Sequence, residues 1–335
     1  KSGFATDPQV VRLDQEATVS EDLRIAFITC RSMDKDAVLL HLLDHIRDDK
    51  EQNEGNRTGL TLIFAATRHH VEYITTLLVA SGVSATMIYG TLDQEARKHN
   101  LAAFRSGKKS VLVVTDVAAR GIDVPLIDHV IHYAFPSSAK LFVHRSGRAA
   151  RAGRIGFSWG LVEPDEMPYM IELFLFLGRK LSTGTSDDNA DSEDDCYTLE
   201  DMTPEMVHYG SVPESVLTEQ VENVRRIMNS EVSGSREAEM LRSLTSVCNN
   251  AMKQYRRTRP EASRDAVRRA KGILEGERLE TGQRVGGGAI RPHPLLRGLE
   301  RRSLLERQSK NGGGGLENLE NLKKREDFLR AMAGF

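Results

Sequence analysis

Short apolar runs alternate with amphipathic stretches through the first half of the chain. The runs that predict strands are Leu60–Ala65, Ala85–Tyr89, Ser110–Thr115, His129–Tyr133 and Trp159–Val162. Two amphipathic stretches, Thr67–Ser81 and Asp93–Ser106, predict helices that end at Gly82 and Gly107. Strands that are apolar throughout and separated by such helices are typical of a parallel sheet buried on both faces. The pattern therefore predicts an α/β fold.

The same pattern divides the chain into four predicted parts. Residues 1–24 form a leading segment with a short strand at Val10–Leu13. The sheet domain covers residues 25–181, a linker covers 182–210, and a mostly helical and partly flexible extension covers 211–335. Outside the alternating region, helices are predicted over Asp34–Arg47, around 216–228, around 241–255 and over Leu316–Met332, with glycine-rich breaks at 286–288 and 312–315.

Composition narrows the class of protein. Of the 335 residues, 39% are hydrophobic and 28% are charged, which is typical of a soluble globular protein. Cys30, Cys196 and Cys248 are too far apart for a metal or redox motif and predict free thiols in a reducing compartment. No apolar run approaches the ~20 residues of a membrane span, so no membrane partner is expected. Because the chain begins at Lys1, we expect a fragment whose targeting signal could have been lost.

Charge is strongly segregated although the net charge is only −2. Residues 187–205 carry nine carboxylates and no lysine or arginine, which predicts an exposed linker or disorder. Residues 253–271 carry eight basic side chains against two acidic ones. This basic stretch is explained equally well as a solvated helix face or as a surface for nucleic-acid phosphates, with Tyr255 expected in the core. A further basic cluster, which predicts a nucleic-acid-binding arm, comprises Arg297, Arg301, Arg302 and Arg307.

Polar and small residues follow the predicted strands. They are Thr67 and Arg68, Gly90, Thr115 and Asp116, and the loop 119–123. Parallel sheets bind ligands at the carboxyl ends of their strands, so these positions are candidate binding residues. In the loop, Gly121 permits a turn closed to other residues, and Asp123 offers an acceptor beside it. Taken alone, the loop is equally well explained as an ordinary connection between a strand and a helix.

Arginine recurs at every third position in the segment His144–Gly153. On a helical turn the side chains of Arg145, Arg148 and Arg151 lie nearly on one side, so their guanidinium groups can converge. Converging cations repel unless an anion lies among them, and the planar guanidinium fork suits phosphate oxygens. The alternative is a solvated helix face rich in arginine and alanine.

These segments together resemble a known family. Residues 115–123 and 144–153 resemble motifs V and VI of DEAD-box RNA helicases, in the same order and at the same interval. Leu62–Phe64 with Thr67 is similar to motif IV. The resemblance covers about residues 1–181.

The match has further elements and two departures. Gly90 and Arg97 fall where the family has its His-Gly and Gln-x-x-Arg elements, although Tyr89 stands where His is usual. Ala149–Ala150 stands where Thr-Gly is common. Segments that look like the Dbp-ten-type subfamily of ribosome-biogenesis helicases are 66–73, 92–102, 164–179, 249–260, 268–271 and 293–295.

The resemblance implies a RecA-like second lobe with assigned residue roles. Arg148 and Arg151 would be arginine fingers on the γ-phosphate of ATP, and Asp123 would hold the ribose. His144 and Arg145 would help to join the two lobes. The positions implied to bind the RNA backbone, without reading bases, are Thr67, Arg68, Gly90, Arg97, Thr115, Asp116 and Gly121.

The resemblance also implies binding partners, and it draws attention to two helicase motifs that do not occur in this sequence. The expected partners are ATP, Mg²⁺, the N-terminal helicase lobe, RNA such as pre-rRNA, and preribosomal proteins, in the nucleus and nucleolus. No Gly-x-x-x-x-Gly-Lys-Ser/Thr loop and no Asp-Glu-Ala-Asp run occurs in the 335 residues. We therefore expect a first lobe to hold most of the Mg²⁺ and phosphate contacts. The alternatives are a non-catalytic scaffold that docks on preribosomes, or an unrelated nucleotide-binding enzyme, which would need its own phosphate loop.

Overall fold

The architecture is a parallel sheet in a computed structural model that describes residues 19–52, 58–122, 124–151, 153–182, 199, 202–212, 214–229, 236–275 and 293. The strands are β1 (Leu23–Thr29), β2 (Thr61–Phe64), β3 (Ala85–Ile88), β4 (Val111–Val114), β5 (His129–His132), β6 (Gly156–Val162), β7 (Lys180–Ser182) and β8 (Met206–Ser211). They lie in the order β3-β4-β2-β5-β6-β1-β8-β7, and every neighbouring pair is parallel. The predicted RecA-like parallel α/β sheet is confirmed.

Helices cover both faces of this sheet. They are α1 (Lys35–Gln52), α2 (Arg68–Ala80), α3 (Gln94–Arg105), α4 (Asp116–Ala119), α5 (Ala139–Ser146), α6 (Met167–Leu177), α7 (Glu214–Met228), α8 (Arg236–Thr258) and α9 (Arg264–Glu275). One apolar core joins α1, α2, α7 and α8 to one face, and a second joins α3, α5, α6 and α9 to the other. Within β2, Ile63 lies in the first core while Leu62 and Phe64 lie in the second. This alternation makes a strand apolar throughout when both faces are covered.

Most of the predicted elements occur within a few residues of their predicted bounds. Helix α2 ends at Ala80 and is followed by Gly82 with a φ of +83°, the conformation expected of a left-handed cap. Strand β1 and helix α6 were not predicted. The expected strand at Val10–Leu13, the helix over Leu316–Met332 and the basic cluster 297–307 lie outside the described residues. Among the described helices, none combines the length and the apolar character needed to cross a membrane.

The predicted linker over 182–210 differs from the structure in its second half. There β8 pairs with β1 and brings the buried Val207 and Tyr209 into the sheet. The boundary at residue 181 was therefore wrong, because the sheet continues to Ser211. Most of the carboxylate-rich stretch lies outside the described residues.

The helices of the extension pack on the sheet domain rather than forming a separate unit. Helix α7 lies against α1, α8 against α2, and α9 against α6. Leu241, Leu244 and Cys248 of α8 are buried in the first core, whereas Ala266 and Ala270 of α9 are buried in the second. The extension therefore passes from one face of the sheet to the other.

Candidate functional site

The predicted binding residues that follow strands gather at one edge of the sheet. Thr67, Gly90 and Thr115 lie just beyond β2, β3 and β4, which are neighbours in the order β3-β4-β2. Since these strands are parallel, their carboxyl ends meet at the same edge. The sequence-based placement of these residues is confirmed, and we call this edge the carboxyl edge.

Both threonines stand at helix starts. Thr67 precedes α2, and its hydroxyl lies 2.8 Å from His70 Nδ1. Burial, aided by the charge of Lys35, lowers the pKa of His70 to about 4, so this ring is neutral at physiological pH. Thr115 precedes α4 and accepts a hydrogen bond from the amide of Ala118 at 3.4 Å.

The arginines and glycines near these threonines differ in their hydrogen bonding and backbone conformation. Arg68 and Gly90 are exposed. Arg97 of α3 donates to the carbonyl of Ala118 at 3.0 Å, which ties α3 to the short helix α4. Gly121 is exposed and has a φ of +70°, a backbone conformation that residues other than glycine rarely adopt. Asp123 lies outside the described residues.

Arg145 is buried, and the prediction that its guanidinium converges with those of Arg148 and Arg151 is wrong. Its side chain is 0% exposed and makes two hydrogen bonds with Asp116, Nε to Oδ1 at 2.6 Å and Nη2 to Oδ2 at 2.7 Å. It also donates to the carbonyl of Ala134 at 2.8 Å and lies over the ring of Phe64. Arg145 and Asp116 therefore pair inside this lobe, and the fully buried Arg145 can take only an indirect part in binding another lobe.

A polar network that the sequence did not predict supports this pair. His132 of β5 is buried, with Nε2 3.2 Å from the Ser146 hydroxyl and 3.0 Å from the Ser158 hydroxyl. Burial, and then the charge of Arg145, depress the pKa of His132 well below its usual value. A neutral His132 therefore links the end of α5 to β5 and β6. The alternation of strand residues gave no signal that these three side chains meet.

Arg148 and Arg151 remain available to bind an anion. Arg148 is half-buried, and its Nη1 donates a 3.4 Å hydrogen bond to the carbonyl of Ile122. Arg151 is exposed, and its Nε donates to the carbonyl of Gly147 at 2.7 Å. Among the described residues, neither guanidinium forms an ion pair with a carboxylate. Burial and the neighbouring charge of Arg151 lower the pKa of Arg148, which indicates two uncompensated cations close together.

His144 lies on the exposed side of the same segment. The pKa of His144 is lowered by desolvation and by the charges of Arg148 and Arg120, so a neutral ring is favoured beside these cations. An anion bound at Arg148 would oppose this effect.

The backbone that presents Arg148 and Arg151 is a turn rather than a helix. Helix α5 ends at Ser146, and Ala150 has a φ of +53°, which only glycine adopts freely. Gly156 lies directly against the backbone of Ala150, where a Cβ would clash. The turn is thereby held against the start of β6, and strained residues of this kind are enriched at functional sites.

The carboxyl end of β6 carries a charged cluster that the sequence did not reveal. Lys35 is 3% exposed and lies 2.7 Å from Glu163 and 3.3 Å from Glu166. Burial alone would raise the pKa of Glu163, but the charge of Lys35 and its hydrogen bond outweigh burial and lower it. Lysine at the start of a helix carried no sequence signal for a partner so distant along the chain.

Comparisons with known proteins agree with the motifs. Residues 34–153 match the family model of the helicase conserved C-terminal domain. The chain is 41% identical to the ATP-dependent RNA helicase DDX54 of Mus musculus over 266 residues, which are 79% of this chain and 28% of that protein. It is 40% identical to the ATP-dependent RNA helicase dbp10 of Schizosaccharomyces pombe over 298 residues, which are 81% of this chain and 34% of that protein.

Structural similarity was found to S. cerevisiae Dbp5 bound to RNA and ADP BeF3, with 23% identity and a TM-score of 0.46 over 64% of this chain and 48% of that chain. The chain spans about a third of the length of the curated relatives it matches. It contains a helicase conserved C-terminal domain, and the resemblance to Dbp10-type DEAD-box helicases drawn from its motifs is confirmed.

Proposed function

We propose that this chain forms the second lobe of an ATP-dependent RNA helicase, together with a C-terminal extension. The observation that carries the proposal is the contrast among the arginines of residues 145–151. Arg145 is fully paired within the lobe, whereas Arg148 and Arg151 are presented without a carboxylate partner among the described residues. Two such cations, presented on the turn that precedes β6, suit the phosphate of a nucleotide that another lobe binds.

In this mechanism ATP and RNA bind between the two lobes. Closure brings Arg148 and Arg151 onto the γ-phosphate, where their charge stabilises the transition state. Thr67, Gly90 and Thr115 lie together at the carboxyl edge and contact the RNA backbone without reading bases. Closure bends one RNA strand and so unpairs a short duplex locally, and hydrolysis then reopens the cleft.

Asp123 and Mg²⁺ complete the proposal. Asp123 holds the ribose of ATP. The described residues contain no group of three or more His, Cys, Asp or Glu side chains that could hold a metal ion. We therefore assign Mg²⁺ to ATP and to the first lobe, where it neutralises the phosphate charge.

The substrate is proposed to be structured RNA of the large ribosomal subunit precursor, with preribosomal proteins as partners in the nucleolus. The support is the resemblance to Dbp10-type helicases, which extends beyond the helicase domain into α8 and α9. A docking scaffold could use the same surfaces, but it would have no need of two unpaired arginines at this turn.

Hydrolysis by the chain alone tests the proposal. With ATP and RNA, we expect no RNA-stimulated turnover above background, because no phosphate-binding loop occurs in these 335 residues. Joined to the phosphate-binding lobe, the same residues are expected to support RNA-dependent hydrolysis, measured as phosphate release. Turnover by the pure chain would contradict the mechanism, and a joined protein that binds RNA without hydrolysing ATP would support the scaffold instead.

The exposed face of α9 is proposed to add phosphate contacts. Arg264, Arg268 and Lys271 are exposed there, while Ala266 and Ala270 face the core. Replacing the three cations by glutamine is expected to weaken single-stranded RNA binding and to reduce the slope of log K against log salt by about 2, at roughly 0.7 per lost phosphate contact. Fluorescence anisotropy over a salt series measures both.

The matched control changes three exposed arginines elsewhere, Arg225, Arg226 and Arg242 on α7 and α8, to glutamine. Equal losses in both triple variants would show a net-charge effect and refute the α9 surface. Deleting residues 253–310 is a poorer test, because Arg256 and Arg259 contact the sheet domain.

A further inference from the structure

The extension contacts the loop between β5 and α5, residues 133–138, to which Arg145 also donates a hydrogen bond. Successive carbonyls of this loop accept hydrogen bonds from different arginines. Arg145 donates to Ala134 at 2.8 Å, while Nη2 of Arg259 donates to Phe135 at 3.2 Å and to Pro136 at 3.4 Å. The loop backbone is thus held between an arginine of the candidate site and an arginine of the extension.

Both Nη groups of Arg259 have hydrogen-bond partners among the described residues, whereas its buried Nε has none there. Its side chain is 6% exposed, its Nη1 lies 3.5 Å from Glu166, and its guanidinium carbon lies 3.5 Å from the ring centroid of Tyr169. The Tyr169 hydroxyl donates to the carbonyl of Pro260 at 2.8 Å. Stacking on an aromatic ring and donating to two carbonyls require the planar fork of arginine.

Glu166 connects this anchor to the interior of the lobe. Its carboxylate accepts from the amide of Phe135 at 3.1 Å and pairs with the buried Lys35. Arg256 of α8 pairs with Glu163 at 3.2 Å and with Asp165 at 3.0 Å. The extension therefore supplies two of the three cations that balance the carboxylates after β6, and both lie where the chain crosses from α8 to α9.

Tyr255 lies in the last turn of α8, just before Arg256 and Arg259 in the chain. Burial raises the pKa of Tyr255, and the charges of Arg145 and Arg259 both act on it in the opposite sense.

We infer that Arg259 is a positioning residue, through which the extension fixes the β5–α5 loop and hence the turn that carries Arg148 and Arg151. The inference rests on the proposed function of these two arginines. Helix α5 follows the loop directly and leads into the turn, and the loop carbonyl of Ala134 is one of the partners that orient Arg145. Removing Arg259 releases the Phe135 and Pro136 carbonyls and leaves Lys35 as the one cation paired with Glu166 among the described residues.

The test measures ATP hydrolysis by the complete helicase with Arg259→Ala and Arg259→Lys. The control is Arg257→Ala, because the Arg257 side chain is exposed in the last turn of α8, two residues before Arg259. Misplacing catalytic groups by about 1 Å can cost up to 10²-fold, so we expect kcat per folded molecule to fall about 10-fold or more in both Arg259 variants. KM for ATP should change by less than about 2-fold, because fingers act in the transition state. Arg257→Ala should behave as wild type.

Hydrogen exchange in this chain distinguishes a local release of the loop and the turn from a general loss of folding. We expect Arg259→Ala to speed exchange in residues 133–138 and 147–151 while β2, β3 and β4 keep wild-type protection. A uniform increase across the lobe, an unchanged kcat per folded molecule, or an equal loss in Arg257→Ala would each overturn the inference.

Failure of the proposed function gives a different result. If Arg148→Ala also hydrolyses ATP normally, the proposed function fails, and the exchange measurement still decides whether Arg259 fixes the loop. If Arg148→Ala is inactive while Arg259→Ala is fully active, only the positioning role fails.

Discussion

Replacing Arg148 by alanine in the complete helicase is expected to reduce RNA-stimulated ATP hydrolysis by about 10³-fold or more, the range in which arginine fingers act. Arg148 is half-buried and has no carboxylate partner among the described residues, so its charge is free to meet the γ-phosphate. Steady-state phosphate release at saturating RNA measures the loss. Arg151→Ala should lose activity in the same range.

The fold should survive this substitution. Arg148 donates a long hydrogen bond of 3.4 Å to the carbonyl of Ile122, and because its loss removes little stabilisation, the melting temperature is expected to change little. Lys140→Ala provides a matched control, because it removes an exposed cation from the first turn of α5, the helix that leads to Arg148. Undiminished hydrolysis by a well-folded Arg148→Ala protein would refute the finger role, whereas a loss in the control as well would point to a general charge effect.

The sequence predicted the sheet well where burial on two faces makes a strand apolar throughout. Strands β2, β3 and β4 are such runs, and the amphipathic helices between them set the order of elements. The sequence could not show that β1 enters between β6 and β8, because parallel pairing joins residues far apart in the chain. Helix α6 is apolar on most sides and leaves Leu175 and Phe176 exposed, so its periodicity gave little signal.

The candidate site was predicted in position but not in detail. Spacing treats Arg145, Arg148 and Arg151 as equivalent, yet within the described part of the chain only Arg145 pairs with a carboxylate, that of Asp116, 29 residues away. Helix α5 also ends before Arg148, so the helical face assumed for all three does not exist. At Ala150, where glycine is common in the resembled motif, the substitution is small for small in size but places a Cβ at a φ of +53°.

The charges of the extension were predicted, but their partners were not. Arg256 and Arg259 looked like members of a solvated or nucleic-acid-binding face. In the structure they pair with Glu163, Asp165 and Glu166 after β6. Composition shows that a stretch is basic. Only the structure, in which the chain crosses from α8 to α9 beside the end of β6, shows which of these cations form ion pairs with the sheet domain.

Replacing Asp116 by alanine is expected to be the most destabilising of these changes, at about 3–5 kcal/mol of unfolding free energy, because a buried guanidinium then loses its carboxylate. The Arg145 side chain is 0% exposed and would retain the Ala134 carbonyl as its firm partner. Urea unfolding of this chain measures the loss. The control Asp265→Ala removes a carboxylate from an exposed pair with Arg268 and should cost less than about 1 kcal/mol.

The double substitution Asp116→Ala with Arg145→Met separates an unpaired charge from lost packing. Methionine fills much of the arginine volume without a charge, so we expect the double variant to regain most of the stability that Asp116→Ala loses. A single variant as stable as wild type would contradict the pairing. RNA binding by the double variant then decides the role of Asp116: if affinity returns with stability, Asp116 acts through Arg145 on the shape of the site, and if it does not, Asp116 contacts RNA directly as its position after β4 first predicted.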